Sequence, residues 1–312
     1  MKWLANFFKT TDGLPPQMTY LNHLQFGYDG KPFVFRTSPT QQWTVKYGRC
    51  QRRPHQFHRE CVETARTIGQ QTTQAIWVLF SGGIDSEVTL RSFVAADIPV
   101  NVAILRFKNN LNQHDISWAI RTCKELSLSY HFFDLDILHF WQYEARHYAD
   151  LTYCFSPQLI ATMWLMDQVP GYPVMGGGEC LLVKKDPLQA DSDWVLFEKE
   201  RIAAWYRFLI KRKRAGCPGF FQFTPEIILS YLLDPMVKEL TNNQLSSALS
   251  SEAHKLAIYQ QHFPLLPRPK YTGFETLQAE DALLRNELKA KFPGTDEVFK
   301  TSYSALIKML SP

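Results

Sequence analysis

The chain has 312 residues, 45% of them hydrophobic and 21% charged, which excludes a disordered polymer and leaves room for a sizeable core. A formal net charge of +4 permits a polyanionic partner without indicating one, because dedicated nucleic-acid binders are usually more lopsided. No segment approaches the roughly 18 apolar residues of a membrane helix, and the opening MKWLANFFKTTDG lacks the apolar core of a signal peptide.

Residues 1–70 are rich in aromatic and turn residues. LQFGYDGKPFVFR alternates around Asp29-Gly30 and predicts a β-hairpin, with WTVKYG as a third short strand. CQRRPHQFHREC follows, where Cys50, His55, His58 and Cys61 are the right atom types for zinc but lack a paired CxxC knuckle. A helix start with solvent-facing histidines accounts for them equally simply. The six cysteines (50, 61, 123, 154, 180 and 217) contain no CxxC pair, which fits a reducing compartment and a cytoplasmic protein.

Residues 71–185 carry an α/β rhythm. AIWVLF is a strand, DSEVTLRSFVAAD a helix, VNVAILRF a second strand and HDISWAIRTCKELS a helix. SYHFFDLD is a third strand, PQLIATMWLMDQV a helix, and YPVMGG a fourth strand. Apolar strands alternating with amphipathic helices predict a doubly wound parallel sheet, covered on both faces.

From 186 to 312 the texture becomes mostly helical. CLLVKK and DWVLFEK predict a hairpin across DPLQADSD. IAAWYRFLIKRKR, PEIILSYLL, SSEAHKLAIYQQHF and EDALLRNELKAKF predict helices, with PRPK at 267–270 as a break. The basic run at 211–214 reads as a solvated helix end, and the aromatic segments FFDLDILHFWQYE and PGFFQFTPE read as core.

The chemistry concentrates at the junction of the first strand and its helix, SGGIDS (81–86). Gly82 and Gly83 can take positive φ and lack a Cβ, so a ligand can press against the backbone N–H groups. The following helix points its unpaired N–H groups and positive dipole end into the same curl, and Ser81 and Ser86 add hydroxyl donors. Such a curl suits a phosphate or pyrophosphate. The alternative is a tight turn in which Asp85 merely favours the helix N-terminus. No G-x-x-x-x-G-K-[ST] occurs, so the loop is not the kinase-type P-loop.

SGGIDS resembles the PP-loop of the N-type ATP pyrophosphatases, a superfamily with the adenine nucleotide alpha hydrolase-like fold. The resemblance covers roughly residues 70–185. It implies ATP and Mg²⁺ as cofactors, cleavage between the α and β phosphates, and adenylation of an acceptor oxygen that a nucleophile then attacks. It also implies that Ser81, Gly82, Gly83, Ile84, Asp85 and Ser86 hold the pyrophosphate, and that backbone groups of Leu105, Arg106 and Phe107 contact adenine.

The order of elements is most similar to the synthetase domain of asparagine synthetase and β-lactam synthetase. There a second Gly-rich loop with acidic residues faces the PP-loop, and here PVMGGGE, with Gly176, Gly177, Gly178 and Glu179, stands in that place. In that reading Glu179 shares the Mg²⁺ with Asp85, and Lys270 in RPKYTGFE is the candidate for the late lysine that reaches the reacting phosphate. A flexible turn and a Pro-rich linker are the plain alternatives for those two segments. Lys2, and only about 70 residues ahead of the sheet, predict no glutaminase domain.

The expected activity is an AMP- and pyrophosphate-forming ligase or amidotransferase, with a small-molecule acceptor and an amine or ammonia donor. A nucleobase- or tRNA-modifying enzyme of the same superfamily and a non-catalytic ATP-binding protein remain as alternatives.

Overall fold

The computed structural model describes residues 23–32, 36–38, 40–184, 194–242, 252–269 and 271–312. A small antiparallel sheet comes first, in the order β2-β1-β3: β1 (Leu24–Tyr28), β2 (Lys31–Pro32) and β3 (Trp43–Tyr47). Asp29 and Gly30 both have positive φ, 49° and 76°, as a two-residue turn matched to the strand twist requires. The hairpin expected from Asp-Gly is therefore present.

α1 (Phe57–Gln71) leads to β4 (Ile76–Leu79), all four of whose residues are buried. With β5 (Asn101–Phe107), β6 (Tyr130–Leu135) and β7 (Tyr172–Met175) it forms a four-stranded parallel sheet, ordered β6-β5-β4-β7. The chain thus runs to one side of β4 for two strands and then returns to the other side for β7. The connections carry α2 (Ile84–Ala95), α3 (Gln113–Glu125) and α6 (Pro157–Gln168). β4 and β7, in the middle and at one edge of this order, are apolar and buried at every residue, whereas β6 at the other edge is mostly half-buried or exposed. Backbone hydrogen bonds of 2.8 Å from Met175 to Cys217 and from Cys217 to Pro173 extend the sheet beyond β7.

Two helices after β6 were not expected. FFDLDILHFWQYE contains α4 (Ile137–Tyr143), started by the Asp136 carboxylate accepting from the His139 N–H, and α5 (Ala145–Thr152) follows after Glu144. Their signal is weak because each is only about two turns long.

A second sheet, β10-β9-β8, is antiparallel: β8 (Leu181–Lys184), β9 (Trp194–Lys199) and β10 (Val298–Ser302). The expected hairpin is present, and its DPLQADSD connection at 186–193 lies outside the described residues. β10 is an addition to the mostly helical texture expected from 186 to 312, where no strand was named after the hairpin. It is partly exposed along its length and shows no period-2 burial that its sequence could have announced. The remaining helices are α7 (Ala203–Lys211), α8 (Pro225–Leu232), α9 (Pro235–Asn242), α10 (Glu252–Gln260), α11 (Gln278–Lys291) and α12 (Tyr303–Leu310).

The first and last parts of the chain are fastened together. The Cys50 N–H donates to the Leu310 carbonyl at 2.8 Å, and the Trp43 N–H to Glu297 Oε2 at 2.7 Å. Fully buried Glu200 is ion-paired with Arg36 (3.3 Å) and Arg207 (3.6 Å) and accepts from the Tyr28 hydroxyl. Among the described residues no helix is long and apolar enough to cross a membrane.

Candidate functional site

The curl between β4 and α2 is built as its sequence suggests, with one difference. Gly82 has φ +85°, and a Cβ there would stand 2.6 Å from the Asp115 carbonyl oxygen, so conformation and packing both demand glycine. Gly83 has φ −74° and its Cβ would meet only Ser81 Oγ, at 3.4 Å. The second glycine is therefore the N-cap of α2 and not a left-handed residue. Ser86 Oγ donates to the Gly83 carbonyl at 2.9 Å and lies 3.1 Å from Ser81 Oγ, so the two hydroxyls face one another across the curl. The first N–H groups of α2 open into the same space.

The second Gly-rich loop presses directly on the first. A Cβ on Gly176 would stand 2.6 Å from Ser86 Cα, and Gly178 has φ +90° against the Gln222 side chain. β4 and β7 are neighbours at the point where the strand order reverses, so these two loops flank one crevice.

Across that crevice Asp85 and Glu179 converge, and Lys255 from α10 lies between them. Its Nζ is 2.6 Å from Asp85 Oδ2 and 3.0 Å from Glu179 Oε1, with the lysine side chain only 4% exposed. The Tyr259 hydroxyl donates to Asp85 Oδ1 at 2.9 Å. Tyr259 stacks on Phe57 and Phe221, which docks α10, and Lys255 sits one helical turn earlier on the same face. Burial disfavours the Lys255 ammonium, but the Asp85 and Glu179 carboxylates outweigh it and push its pKa up. Burial pushes the Glu179 carboxyl up, against the pull of Lys255 and with the help of Asp85.

A cavity of about 610 Å³ opens over these groups. Ser81, Gly83, Asp85, Ser86, Leu105, Phe107, Gly176, Gly177, Gly178 and Glu179 all line it. Gly82 and Ile84 line an adjoining hollow of about 140 Å³. The Arg106 side chain instead pairs with Asp134 at the surface, at 2.5 Å. Lys270 lies outside the described residues.

Four side chains at the site were not singled out by the sequence: Lys255, Tyr259, Asp115 and Arg268. A lysine and a tyrosine four apart on a helix carry no signal of their own. RPKYTGFE does approach the loop, but through Arg268, which donates to the Gly82 carbonyl at 2.8 Å, pairs with buried Glu87 and lies over the Trp118 ring. Asp115, on the cavity wall, has its carboxyl pushed up to about 7 by burial; the nearby His114 opposes this and Glu275 adds to it.

The weaker sequence candidates have structural roles. Burial pushes the Cys50 thiol up to about 12 and the Cys61 thiol well above its usual value. Among the described residues no group of three or more His, Cys, Asp or Glu is arranged to hold a metal. In the basic run, Arg212 pairs with Asp167 at 2.7 Å, and Arg214 donates to the carbonyls of Val169 and Gly171, beyond the C-terminal end of α6. Phe140, Trp141, Phe220, Phe221 and Phe223 are core residues. Cys180, next to Glu179, is buried, and burial raises its thiol well above the usual range.

No protein-family model and no curated protein matches the chain.

Proposed function

We propose that the chain binds ATP with Mg²⁺ at residues 81–86 and transfers the adenylyl group to an acceptor oxygen, releasing pyrophosphate. An amine or ammonia would then displace AMP, the chemistry of an asparagine synthetase-like ligase. The proposal includes a doubly wound sheet and a cytoplasmic setting, the latter supported by six free, buried cysteines. The observation that carries it is the meeting of Asp85 and Glu179, from the ends of two adjacent strands, beside a glycine-demanding curl at a helix N-terminus.

The residues present suit a magnesium ion. Asp85 and Glu179 offer hard oxygen donors, and the single charge of Lys255 leaves the two carboxylates with one charge unbalanced. When bound, Mg²⁺ would supply positive charge against the pyrophosphate. The chain's own groups do the rest: the N–H groups of the curl and the Ser81 and Ser86 hydroxyls grip phosphate oxygens, and Leu105 and Phe107 give an apolar wall to the base. We assign to Lys255 the role that the resemblance gives to a late lysine, since its buried ammonium can stabilise charge developing on the α-phosphate.

ATP–pyrophosphate exchange with candidate acceptors tests the reading. AMP and pyrophosphate are the expected products, and ADP as the main product overturns it. Asp85→Asn and Glu179→Gln should each lower exchange about a hundredfold. The double variant should be little worse than the poorer single, because groups acting as a unit are not additive. A second reading, an ATP-binding protein without turnover, is favoured by the Lys255 ammonium holding both carboxylates. ATP binding with no exchange for any acceptor would select it.

A further inference from the structure

Four cations line the large cavity: Lys199, Arg201, Lys255 and Arg285. Two have counterions in place, Lys255 with Asp85 and Glu179, and Arg285 with Asp281 at 2.8 Å. Among the described residues neither Lys199 nor Arg201 forms an ion pair.

Their placement follows from the residue between them. Glu200 is fully buried and gripped by Arg36, Arg207 and Tyr28, which pins the backbone where β9 ends. Lys199 and Arg201, on either side of that anchor, both face the cavity. Burial and the Arg201 charge push the Lys199 pKa down, with the Asp296 carboxylate opposing them. Trp205, one helical turn after Arg201, forms the aromatic wall against Gly177, where a Cβ would meet its ring at 3.0 Å.

Two cations without ion-pair partners in one cavity favour an anionic occupant over a neutral one. We propose that the acceptor carries a carboxylate or phosphate remote from its reacting oxygen, bound between Lys199 and Arg201 with the body of the molecule along Trp205. This rests on the reading of the cavity as an ATP-dependent adenylation site, which it deepens by naming the acceptor's charge.

The test is calorimetric titration of the full chain with succinate and, separately, phenyl phosphate, with and without saturating ATP·Mg²⁺. Wild type should bind at least one of them, and Lys199→Gln/Arg201→Gln should bind it at least about tenfold more weakly, a loss of about 1.4 kcal/mol. The probe that binds identifies the anion as carboxylate or phosphate. Should the double variant fail to melt cooperatively, Arg201→Gln alone and its conservative partner Arg201→Lys decide: the first should lose binding and the second retain most of it. Binding of neither probe, or equal binding by wild type and the variants, overturns the proposal. If ATP·Mg²⁺ does not bind yet anion binding depends on Lys199 and Arg201, the adenylation reading fails and the anion wall stands.

Discussion

Replacing Lys255 by methionine withdraws a nearly buried cation from between two carboxylates at 2.6 and 3.0 Å. At an effective dielectric near 20, Coulomb's law gives about 6 kcal/mol of gross attraction for each contact, much of it offset by the cost of burying the charges. Removing one partner of a buried ion pair costs about 3–5 kcal/mol, because the remaining charge keeps its burial cost and loses its compensation. Here Asp85 and Glu179 would also be left facing one another. Protonation of Glu179 relieves that repulsion, and burial already pushes its carboxyl upward. A carboxyl whose folded pKa exceeds its unfolded value binds more protons in the folded state, so stability falls as pH rises from the ordinary carboxylate range to the folded pKa. Lys255→Met should therefore be about 3–5 kcal/mol less stable than wild type at about pH 8 and recover much of that deficit near about pH 5. Mg²⁺ should raise the melting temperature of the variant more than that of wild type, since two carboxylates freed of their ammonium make a better hard-oxygen site. Thermal melts across pH, with and without Mg²⁺, read all three effects. Equal melting temperatures for wild type and Lys255→Met at about pH 8 would refute the buried ion-pair argument.

Two further outcomes follow from the same geometry. Gly82→Ala should cost about 1–3 kcal/mol and weaken ATP·Mg²⁺ binding, because of its positive φ and the 2.6 Å approach to the Asp115 carbonyl. Gly83→Ala, with φ −74° and only an ordinary contact, should stay within about 1 kcal/mol of wild type, and equal effects in denaturant melts would refute the assignment. The Asp115 carboxyl, held at about 7 by burial, takes up protons on folding, so its contribution to stability falls as pH rises from about 4 to about 7. Asp115→Asn should gain on wild type across that window. Denaturation at several pH values checks this, and a pH-independent difference would sink it.

Much of this protein was legible in its sequence. β4 and β7 announce themselves because a strand buried at every residue must be continuously apolar, as IWVL in β4 is. Asp29-Gly30 announces its turn, since few other residues accept two successive positive φ values. SGGIDS marks its curl for the same local reason at Gly82. All of these are properties of a residue and its near neighbours. Periodicity failed for α4, α5 and β10, each too short or too evenly half-buried to display a period. The groups that complete the site were hidden for a different reason. Lys255 lies 170 residues from Asp85 in the chain and 76 from Glu179, and Arg268 lies 186 from Gly82. A lysine on a helix reads as solvent-exposed until the packing of Tyr259 on Phe57 and Phe221 turns that face inward. Local sequence thus determined the sheet, the turn and the glycine curl, because backbone conformation and strand burial are short-range demands. Only the tertiary structure decided which cations face Asp85 and Glu179 and which are left without a counterion, because ion pairing depends on which distant segments share a dry space.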